Sequence, residues 1–370
     1  MKLQLLETRL VRVNHRGEWL QVELQAEDGL RGYGEASHGG FGPNRDAIVA
    51  AILDQQVAPI LAECDLARVT ETTARLWSLA DGLAAATAVS ATEQALWDLA
   101  GKAAGVPVTT LFGDAAPVPV PLYANINRSV TERTPQGFVD KALAAVTEGF
   151  RAIKIAPFDG VNQRTVRSPG ERAKVEQGIA CVGAVRQAVG ERVEVMVDCH
   201  SAFDSGTAEA VASALGQMGV RWFEEPLPLT DIEAHVALRR SVNARGMELV
   251  GGELFFGVEG FWPWLKAGAF DVIMPDVKHC GGLAALRAIS QLAIASGVGV
   301  APHNPSGPLA TIASAHALAG VAGHRPLEIA WGEVPWRNNV VGGREHVRDG
   351  QLLIHGGPGL GVGAIHDPNA

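Results

Sequence analysis

The sequence has few cysteines, and those it has are scattered. Cys64, Cys181, Cys199 and Cys280 lie far apart and show none of the close spacings of zinc sites. They also lack the density that is typical of small disulfide-stabilised domains. We therefore expect four reduced thiols that neither hold the fold together nor bind a metal.

Long apolar runs and basic clusters are missing as well. No stretch reaches the roughly 18 apolar residues of a membrane span, and Lys2, Glu7 and Arg9 interrupt the segment where a signal peptide would have its apolar core. There are 40 acidic and 31 basic residues, a formal net charge of −9 at pH 7, and no basic cluster suited to phosphates. A soluble, cytoplasmic protein that binds neither membranes nor nucleic acid is expected.

The first third of the chain reads as a small antiparallel sheet followed by helices. With 370 residues, 47% of them hydrophobic, the chain is long enough for a large core and for two domains. Residues 20–25 alternate like a strand, 27–29 form a turn and 30–34 return, which predicts a hairpin. Apolar residues then recur at helical spacing over 47–61 and 70–103.

From about residue 118, short apolar strands alternate with helical stretches. Eight strands are predicted, at 120–124, 152–155, 193–198, 222–225, 249–252, 272–275, 298–302 and 327–330. Strands that alternate with helices pair in parallel, and eight such units close a barrel. We predict an α/β fold, a modified TIM barrel (β/α)7β over 118–330, with an N-terminal α+β capping domain over 1–117 and a C-terminal segment, 331–370, that returns to the cap.

Ionisable residues stand where these strands end. Side chains alternate along a strand, so Asp198 and His200 of the run V-D-C-H are expected to share one face. In β/α barrels the active site lies at the C-terminal ends of the strands. The residues at those ends are Lys154, Asp198, His200, Glu224, Glu225, Glu253, Asp276, His303 and Glu328. A strand end that meets solvent would show mixed polar residues, so this pattern favours an active site over a solvated rim.

Three consecutive strands each end on a carboxylate: Asp198, Glu224 and Glu253. Carboxylates that converge on one point repel one another unless a cation lies between them, and oxygen ligands suit Mg2+ better than Zn2+. The alternative is a ring of surface salt bridges to Arg and Lys. We predict that these three residues bind Mg2+ as the cofactor.

Several short motifs resemble one known family. They are R-W-F-E-E-P at 221–226, G-G-E at 251–253, M-P-D at 274–276, A-P-H-N-P at 301–305 and P-G-L-G at 358–361. In this order they resemble the enolase superfamily, in its mandelate racemase/muconate lactonizing enzyme-like branch, over nearly the whole chain. The resemblance implies Asp198, Glu224 and Glu253 as Mg2+ ligands with Glu225 beside them. It also implies a homo-oligomer that acts on a small carboxylate substrate.

The resemblance further implies how the reaction starts. His303, oriented by Asp276, would remove the proton α to the substrate carboxylate, and Lys154 and Glu328 would help to stabilise the enediolate. Many racemase-type members carry Lys-x-Lys on the second strand, whereas here Ala156 stands two residues after Lys154. The second base of a racemase is therefore missing.

His200 distinguishes among the reactions that share the enediolate. The run D-C-H at 198–200 resembles the D-x-H of acid-sugar dehydratases, and His200 is placed to protonate a departing β-hydroxyl. We therefore predict a hydro-lyase that converts an acid sugar into a 2-keto-3-deoxy acid. A racemase or epimerase, a cycloisomerase, and an inactive barrel kept for binding or as a structural protein remain alternatives.

The sequence says less about how the substrate is recognised. Loops of the capping domain are expected to close over the barrel mouth, where His15 and Arg16 are candidates for contact with the substrate, although a lone loop arginine is more often solvated. Asn304 is the third candidate. Lys278 and His279 are expected to support the site or lie at the surface.

Overall fold

In the part of the chain that the structure describes, the N-terminal region forms an antiparallel sheet of three strands in chain order. The computed structural model describes residues 1–14, 17–40, 42, 44–114, 118–366 and 368. The strands are β1 (Leu3–Asn14), β2 (Gly17–Ala26) and β3 (Arg31–Glu35). Along β2, Leu20, Val22 and Leu24 alternate with polar residues and join the apolar core of this domain. The predicted hairpin is present, and β1 adds a strand that was not predicted.

Helices cover this sheet and complete a domain that we call the cap. They are α1 (Arg45–Ile52), α2 (Ala58–Glu63), α3 (Val69–Trp77), α4 (Leu83–Ala104) and α5 (Val108–Leu111), with a π-helical turn, Leu53–Val57, between α1 and α2. The helix predicted at 70–103 is divided, because Gly82 is extended before α4 begins. A Cβ at Gly32 or Gly34 of β3 would lie 2.1 Å from a carbonyl oxygen of α4. Glycine at these two positions lets α4 pack directly on the sheet.

Eight parallel strands follow and form the barrel, within the described residues. They are β4 (Val120–Asn125), β5 (Ala152–Ile155), β6 (Glu194–Asp198), β7 (Trp222–Glu224), β8 (Glu248–Gly251), β9 (Val272–Ile273), β10 (Gly299–Val300) and β11 (Leu327–Ala330). β4 pairs with both β5 and β11. The amides of Arg325 and Glu328 donate to the carbonyls of Val300 (2.7 Å) and Pro302 (3.3 Å), which closes the barrel. The predicted (β/α)7β fold is confirmed.

A helix connects each barrel strand to the next. These helices are α6 (Pro135–Thr147), α7 (Pro169–Val189), α8 (Ser205–Gln217), α9 (Ile232–Asn243), α10 (Gly257–Ala267), α11 (Gly282–Ala295) and α12 (Pro308–Leu318). Thr134, Ser168, Asp204 and Asp231 each accept a backbone N–H bond at the start of a helix, and so fix where α6 to α9 begin. None of the helices described here is long and apolar enough to cross a membrane.

The interior of the barrel is filled by a separate apolar cluster. Its members are Tyr123, Ala152, Met196, Trp222, Val250, Val272, Met274 and Ala301. A larger core lies between the strands and the surrounding helices. The packed interior is not a channel, so side chains that end the strands are displayed above it, at the mouth of the barrel.

The C-terminal segment packs on both domains. After a 3-10 turn, Arg337–Val341, it forms the hairpin β12 (His346–Arg348) and β13 (Gln351–Leu353), and β13 pairs antiparallel with β4. Farther along, Gly359 exchanges backbone hydrogen bonds of 2.9 Å with Val106 and Val108 of the cap. The segment therefore contacts the cap as well as the barrel.

Two carboxylates of the cap reach the first turns of barrel helices. Glu35 accepts from the amides of Gly307 (2.7 Å) and Ala310 (3.1 Å) at the start of α12. Glu93 accepts from Leu283 (2.7 Å) and Ala284 (2.9 Å) in α11. Neither α11 nor α12 has a side-chain cap of its own. The cap thus supplies the acceptors that these helix starts lack.

Candidate active site

Three carboxylates meet at the mouth of the barrel. Asp198 ends β6, Glu224 ends β7 in register with it, and Glu253 follows β8. One oxygen of each lies within 4.8 Å of the other two. We call these residues the acidic triad. The structure therefore brings together the three residues that the sequence predicts as metal ligands.

The acidic triad fits a hard divalent cation. Glu224 is fully buried, and its Oε2 has no hydrogen-bond partner among the described residues. Burial raises the pKa of Glu224 well above its ordinary value, and the charge of Asp198 raises it further. A cation among the oxygens would relieve both effects, and three carboxylates are a donor set that Mg2+ accepts.

Lys154 lies beside the acidic triad, at the end of β5. Its Nζ is 2.7 Å from Glu224 Oε1 and 3.0 Å from Glu328 Oε1, and the side chain is almost completely buried. Burial lowers the pKa of Lys154, but the charges of Glu224 and Glu328 outweigh it and raise the pKa well above the ordinary value. Glu328, on β11, also accepts from Asn125 Nδ2 at 2.6 Å and from the amide of Asn304 at 2.8 Å. Lys154 is therefore a fixed positive charge at the site.

His303 joins the acidic triad to a second carboxylate. Its Nδ1 lies 2.8 Å from Asp276 Oδ2, and its Nε2 lies 3.1 Å from Glu253 Oε2. Burial raises the pKa of Asp276, but Lys278, His279 and His303 together lower it below the ordinary range, so the carboxyl is ionised. An ionised Asp276 fixes the proton of neutral His303 on Nδ1. Nε2 is then the basic nitrogen, and it faces the site.

His200 also lies beside the acidic triad, although the strand has already ended at Asp198. His200 and Ser201 have φ of 45° and 56°, and the His200 amide donates to Asp198 Oδ1 at 3.0 Å. The sequence predicted that His200 and Asp198 share a strand face. Instead, a left-handed turn at His200 and Ser201 folds the His200 ring back toward Asp198. Nε2 lies 2.8 Å from Asp198 Oδ2, and Nδ1 lies 2.7 Å from Asp159 Oδ1. The charge of Asp198 raises the pKa of His200 well above its ordinary value.

A polar cavity of about 210 Å³ opens at this point. It is lined by Asn125, Asn127, Arg128, Asp159, Asp198, His200, His303 and Pro305. The sequence reasoning did not include Asn125, Asn127, Arg128 or Asp159. The run N-I-N-R at 125–128 directly ends the first barrel strand and could have been found by the strand-end rule, whereas Asp159 lies in a loop with no such signal. A larger groove of about 390 Å³ between cap and barrel helices contains none of the predicted site residues.

The cap contacts the rim of the cavity at Arg128, a residue of the loop after β4. Arg128 Nη2 lies 3.4 Å from His38 Nε2 of the cap, and Arg128 Nη1 lies 3.1 Å from Glu333 Oε1. A Cβ at Gly17 would lie 3.2 Å from the Arg128 guanidinium. Arg128 therefore stands where the cap meets the mouth of the barrel.

The predicted substrate contacts stay predictions. His15 and Arg16 lie outside the described residues. The side-chain amide of Asn304 donates to Thr311 Oγ1 (2.8 Å) and to the Glu328 carbonyl (3.1 Å), so it braces Glu328 from behind. Lys278 and His279 are buried behind Asp276 and do not lie at the surface.

Family comparisons agree with this fold. Residues 137–367 match the model for the enolase C-terminal domain-like family, and residues 11–113 match the N-terminal domain of mandelate racemase / muconate lactonizing enzyme. The chain therefore belongs to the mandelate racemase/muconate lactonizing enzyme family of the enolase superfamily, and it is an enzyme of that superfamily. The resemblance read from the motifs is confirmed.

Individual relatives match over nearly the full chain. The D-xylonate dehydratase of Haloferax volcanii is 29% identical over 368 residues, which cover 96% of this chain and 85% of that protein. The D-galactarolactone cycloisomerase of Agrobacterium fabrum is 28% identical over 378 residues, 96% of this chain and 91% of that one. The crystal structure of a mandelate racemase/muconate lactonizing enzyme-like protein from Rubrobacter xylanophilus is 32% identical, covers 97% of this chain and 94% of its own, and has a TM-score of 0.86.

Proposed function

We propose that the protein is a Mg2+-dependent acid-sugar dehydratase. It removes the proton α to a carboxylate, eliminates the β-hydroxyl and so forms a 2-keto-3-deoxy acid. The observation that carries the proposal is that two histidines, His303 and His200, line one cavity on either side of the acidic triad. Elimination of water needs a base for the proton and an acid for the hydroxyl, and the site offers one of each.

The acidic triad would hold the metal. When bound by Asp198, Glu224 and Glu253, Mg2+ supplies positive charge for the substrate carboxylate whose α-proton leaves. Lys154, fixed by its two carboxylate partners, adds a second positive charge on the same side. Glu328 holds Lys154 and is itself held by Asn125 and the Asn304 amide, so neither group has to reorganise during the reaction.

His303 acts as the base in this proposal. Its Nδ1 proton is committed to Asp276, and Nε2 points toward the acidic triad, where the substrate carboxylate would bind. An imidazole in this position accepts the α-proton directly. General-base catalysis of this kind contributes about 10²- to 10⁴-fold to the rate.

His200 acts as the acid that assists the departing hydroxyl. Hydroxide is a poor leaving group, so its departure is accelerated when a proton is transferred to it. Asp198 and Asp159 on the two ring nitrogens stabilise the protonated imidazole. In the proposed step the proton on Nε2, the nitrogen that faces the acidic triad, would pass to the β-oxygen while Asp159 holds Nδ1, and water then leaves.

The rival functions use fewer of these groups. A two-base racemase needs a second base, but Ala156 stands at the usual position and Lys154 is already paired with two carboxylates. A cycloisomerase is the stronger rival, because one relative carries that name. Like a racemase, it has no evident use for a carboxylate-held His200. An inactive binding protein is disfavoured, since the acidic triad and both histidines are present.

A screen of mono- and dicarboxylic acid sugars tests the proposal. With Mg2+ present, we expect a 2-keto product from at least one acid, loss of activity with a chelator and recovery when Mg2+ is returned. Glu224→Gln should abolish turnover, and Glu209→Gln, which alters a partly exposed carboxylate of α8 that pairs with Arg245, should not. Normal turnover by the chelated protein would disprove the metal requirement. Epimers or lactone isomers without keto acid would favour an isomerase.

A further inference from the structure

Lys278 is a lysine with no exposed side-chain surface, two residues after Asp276. Its Nζ forms a close ion pair with Asp276 Oδ2, and its amide donates to Asp276 Oδ1 at 2.8 Å. It does not line the cavity. A buried lysine charge is unfavourable unless it is well paired, and the partner here is Asp276. Any function of Lys278 is therefore expressed through that carboxylate.

The two contacts from Lys278 fix both oxygens of Asp276. One oxygen receives the Lys278 amide, and the other receives the ammonium and the ring of His303, whose Nδ1 is 2.8 Å away. Rotation of the carboxylate would break a hydrogen bond at either oxygen. The backbone amide holds one oxygen whatever the side chain, and the Lys278 ammonium restrains the other, so the lysine side chain helps to fix the carboxylate plane and the direction in which His303 is held.

The loop that carries Lys278 is itself held by the cap. Gln94 of α4 donates to the carbonyl of Val277 (3.3 Å), Thr87 contacts Nδ1 of His279 (2.8 Å), and Ser90 accepts from the amide of Gly281 (2.9 Å). These contacts come from one face of α4 and reach alternate residues of the loop. Lys278 thus lies in a loop, residues 277–281, that hydrogen bonds from α4 of the cap hold against the barrel.

We propose that Lys278 is a positioning residue for the base, so that proton abstraction depends on a Lys278–Asp276–His303 unit and not on Asp276 and His303 alone. The inference rests on the proposed role of His303. Among the described residues, Lys278 does not line the cavity, and its ion pair is with Asp276, so it acts through the orientation of that carboxylate. Its removal should slow the abstraction of the α-proton and leave substrate binding nearly unchanged.

The test compares Lys278→Met with wild type and with Lys102→Met, using a pool of five- and six-carbon aldonic acids in D2O with Mg2+. Lys102 is the matched control. Its Nζ lies 2.7 Å from Asp98 Oδ2, and neither residue belongs to the site. We expect Lys278→Met to slow exchange of the α-proton and kcat for keto acid by about 10- to 100-fold, the usual cost of removing an orienting partner. KM should change less than about twofold, and Lys102→Met should retain wild-type kcat and KM.

A double-mutant cycle then shows whether the lysine acts through Asp276. If it does, Lys278→Met combined with Asp276→Asn should be no slower than Asp276→Asn alone. Three results would each overturn the proposal. They are a double variant whose loss in rate is the product of the two single losses, unchanged exchange in Lys278→Met, and a rise in KM at constant kcat. Should Lys278→Met not fold, as judged by its melting curve, Lys278→Gln carries the same comparison.

The two proposals fail in different ways. Wild-type protein that exchanges its substrate's α-proton but makes no keto acid refutes the dehydratase, while the effect of Lys278→Met on exchange still decides the role of the lysine. Wild-type protein that exchanges no α-proton removes the base itself, and the role of Lys278 falls with it.

Discussion

The two histidines at the barrel mouth have similar partners but different surroundings. Each ring contacts one carboxylate of the acidic triad and one carboxylate outside it. The side chain of His303 is 12% exposed and its outer partner, Asp276, is fully buried. The side chain of His200 is 46% exposed and its outer partner, Asp159, is 23% exposed.

This difference fits the two chemical roles that we propose for the histidines. A base that removes a proton from carbon needs a fixed direction, and His303 obtains it from a buried carboxylate that Lys278 holds in turn. An acid that assists a leaving hydroxyl must release water afterwards, and His200 lies on the open side of the cavity, on a left-handed turn. Similar carboxylate partners therefore do not imply similar roles, since burial separates them.

The largest effect is expected from His303→Asn. With the base removed, exchange of the α-proton and formation of keto acid should both fall by about 10³-fold or more. His324→Asn, which alters a histidine in the loop before β11, should behave like wild type. NMR in D2O reports exchange, and a keto-acid assay reports elimination. Full exchange in His303→Asn would move the base elsewhere, with Lys154 the next candidate.

His200→Asn should separate the two steps. The enediolate would still form, so the α-proton should exchange with solvent, while keto acid appears about 10²- to 10⁴-fold more slowly. Both steps are measured on one sample, by NMR of the substrate pool and by the keto-acid assay. If this variant eliminates water as fast as wild type, His200 only supports the site and the comparison of the two histidines loses its chemical meaning.

The outer carboxylates should differ in the step that each affects. Asp276→Asn is expected to slow exchange by about 10- to 100-fold, because His303 loses its orientation, and elimination slows with it. Asp159→Asn should slow elimination by a similar factor and spare exchange, because it acts on His200. Rates of both steps for the two variants, measured side by side, check this. Two variants that slow the same step would show that the histidines are not independent.

The smallest effect is expected from Arg128→Met. Arg128 lines the cavity and contacts His38 of the cap, so we expect it to meet the end of the substrate that lies on the cap side. Loss of one hydrogen bond to a substrate hydroxyl costs about 1 kcal/mol, roughly a fivefold rise in KM. The rise should be seen with six-carbon acids and be absent with three-carbon acids. An equal rise for all chain lengths would place Arg128 near the reacting carbons instead.

The barrel could be predicted from the sequence more fully than the cap. All eight barrel strands lie where the sequence has short apolar runs, because a strand buried on both sides has a continuous apolar pattern. β1 escaped prediction because it is mostly exposed, and charged residues interrupt its apolar positions. β12 and β13 are three residues each and largely exposed, so they leave almost no pattern.

The site divides in a similar way. The expectation that site residues end the barrel strands identified the acidic triad. It also identified His303, Asp276 and His200, which lie just after strands. Asp159 was missed because it lies in a loop, and the left-handed turn at His200 cannot be read from alternation. The importance of Lys278 depends on its complete burial against Asp276, which spacing alone does not show.

The carboxylates that bind the starts of α11 and α12 also bear on how such enzymes diversify. Glu35 and Glu93 belong to the cap, and a Cβ at Gly307 or Gly282 would lie 2.5 Å or 2.0 Å from their oxygens. The interface between the domains therefore needs a complementary residue from each: a glutamate from the cap and a glycine from the barrel. We expect a cap exchanged between relatives to pack on the barrel only if these glutamates and glycines are present together. The loop after β10 serves both regions, because Pro305 lines the cavity and the amide of Gly307 donates to Glu35. A change of substrate that alters this loop therefore has to preserve the joint between the domains.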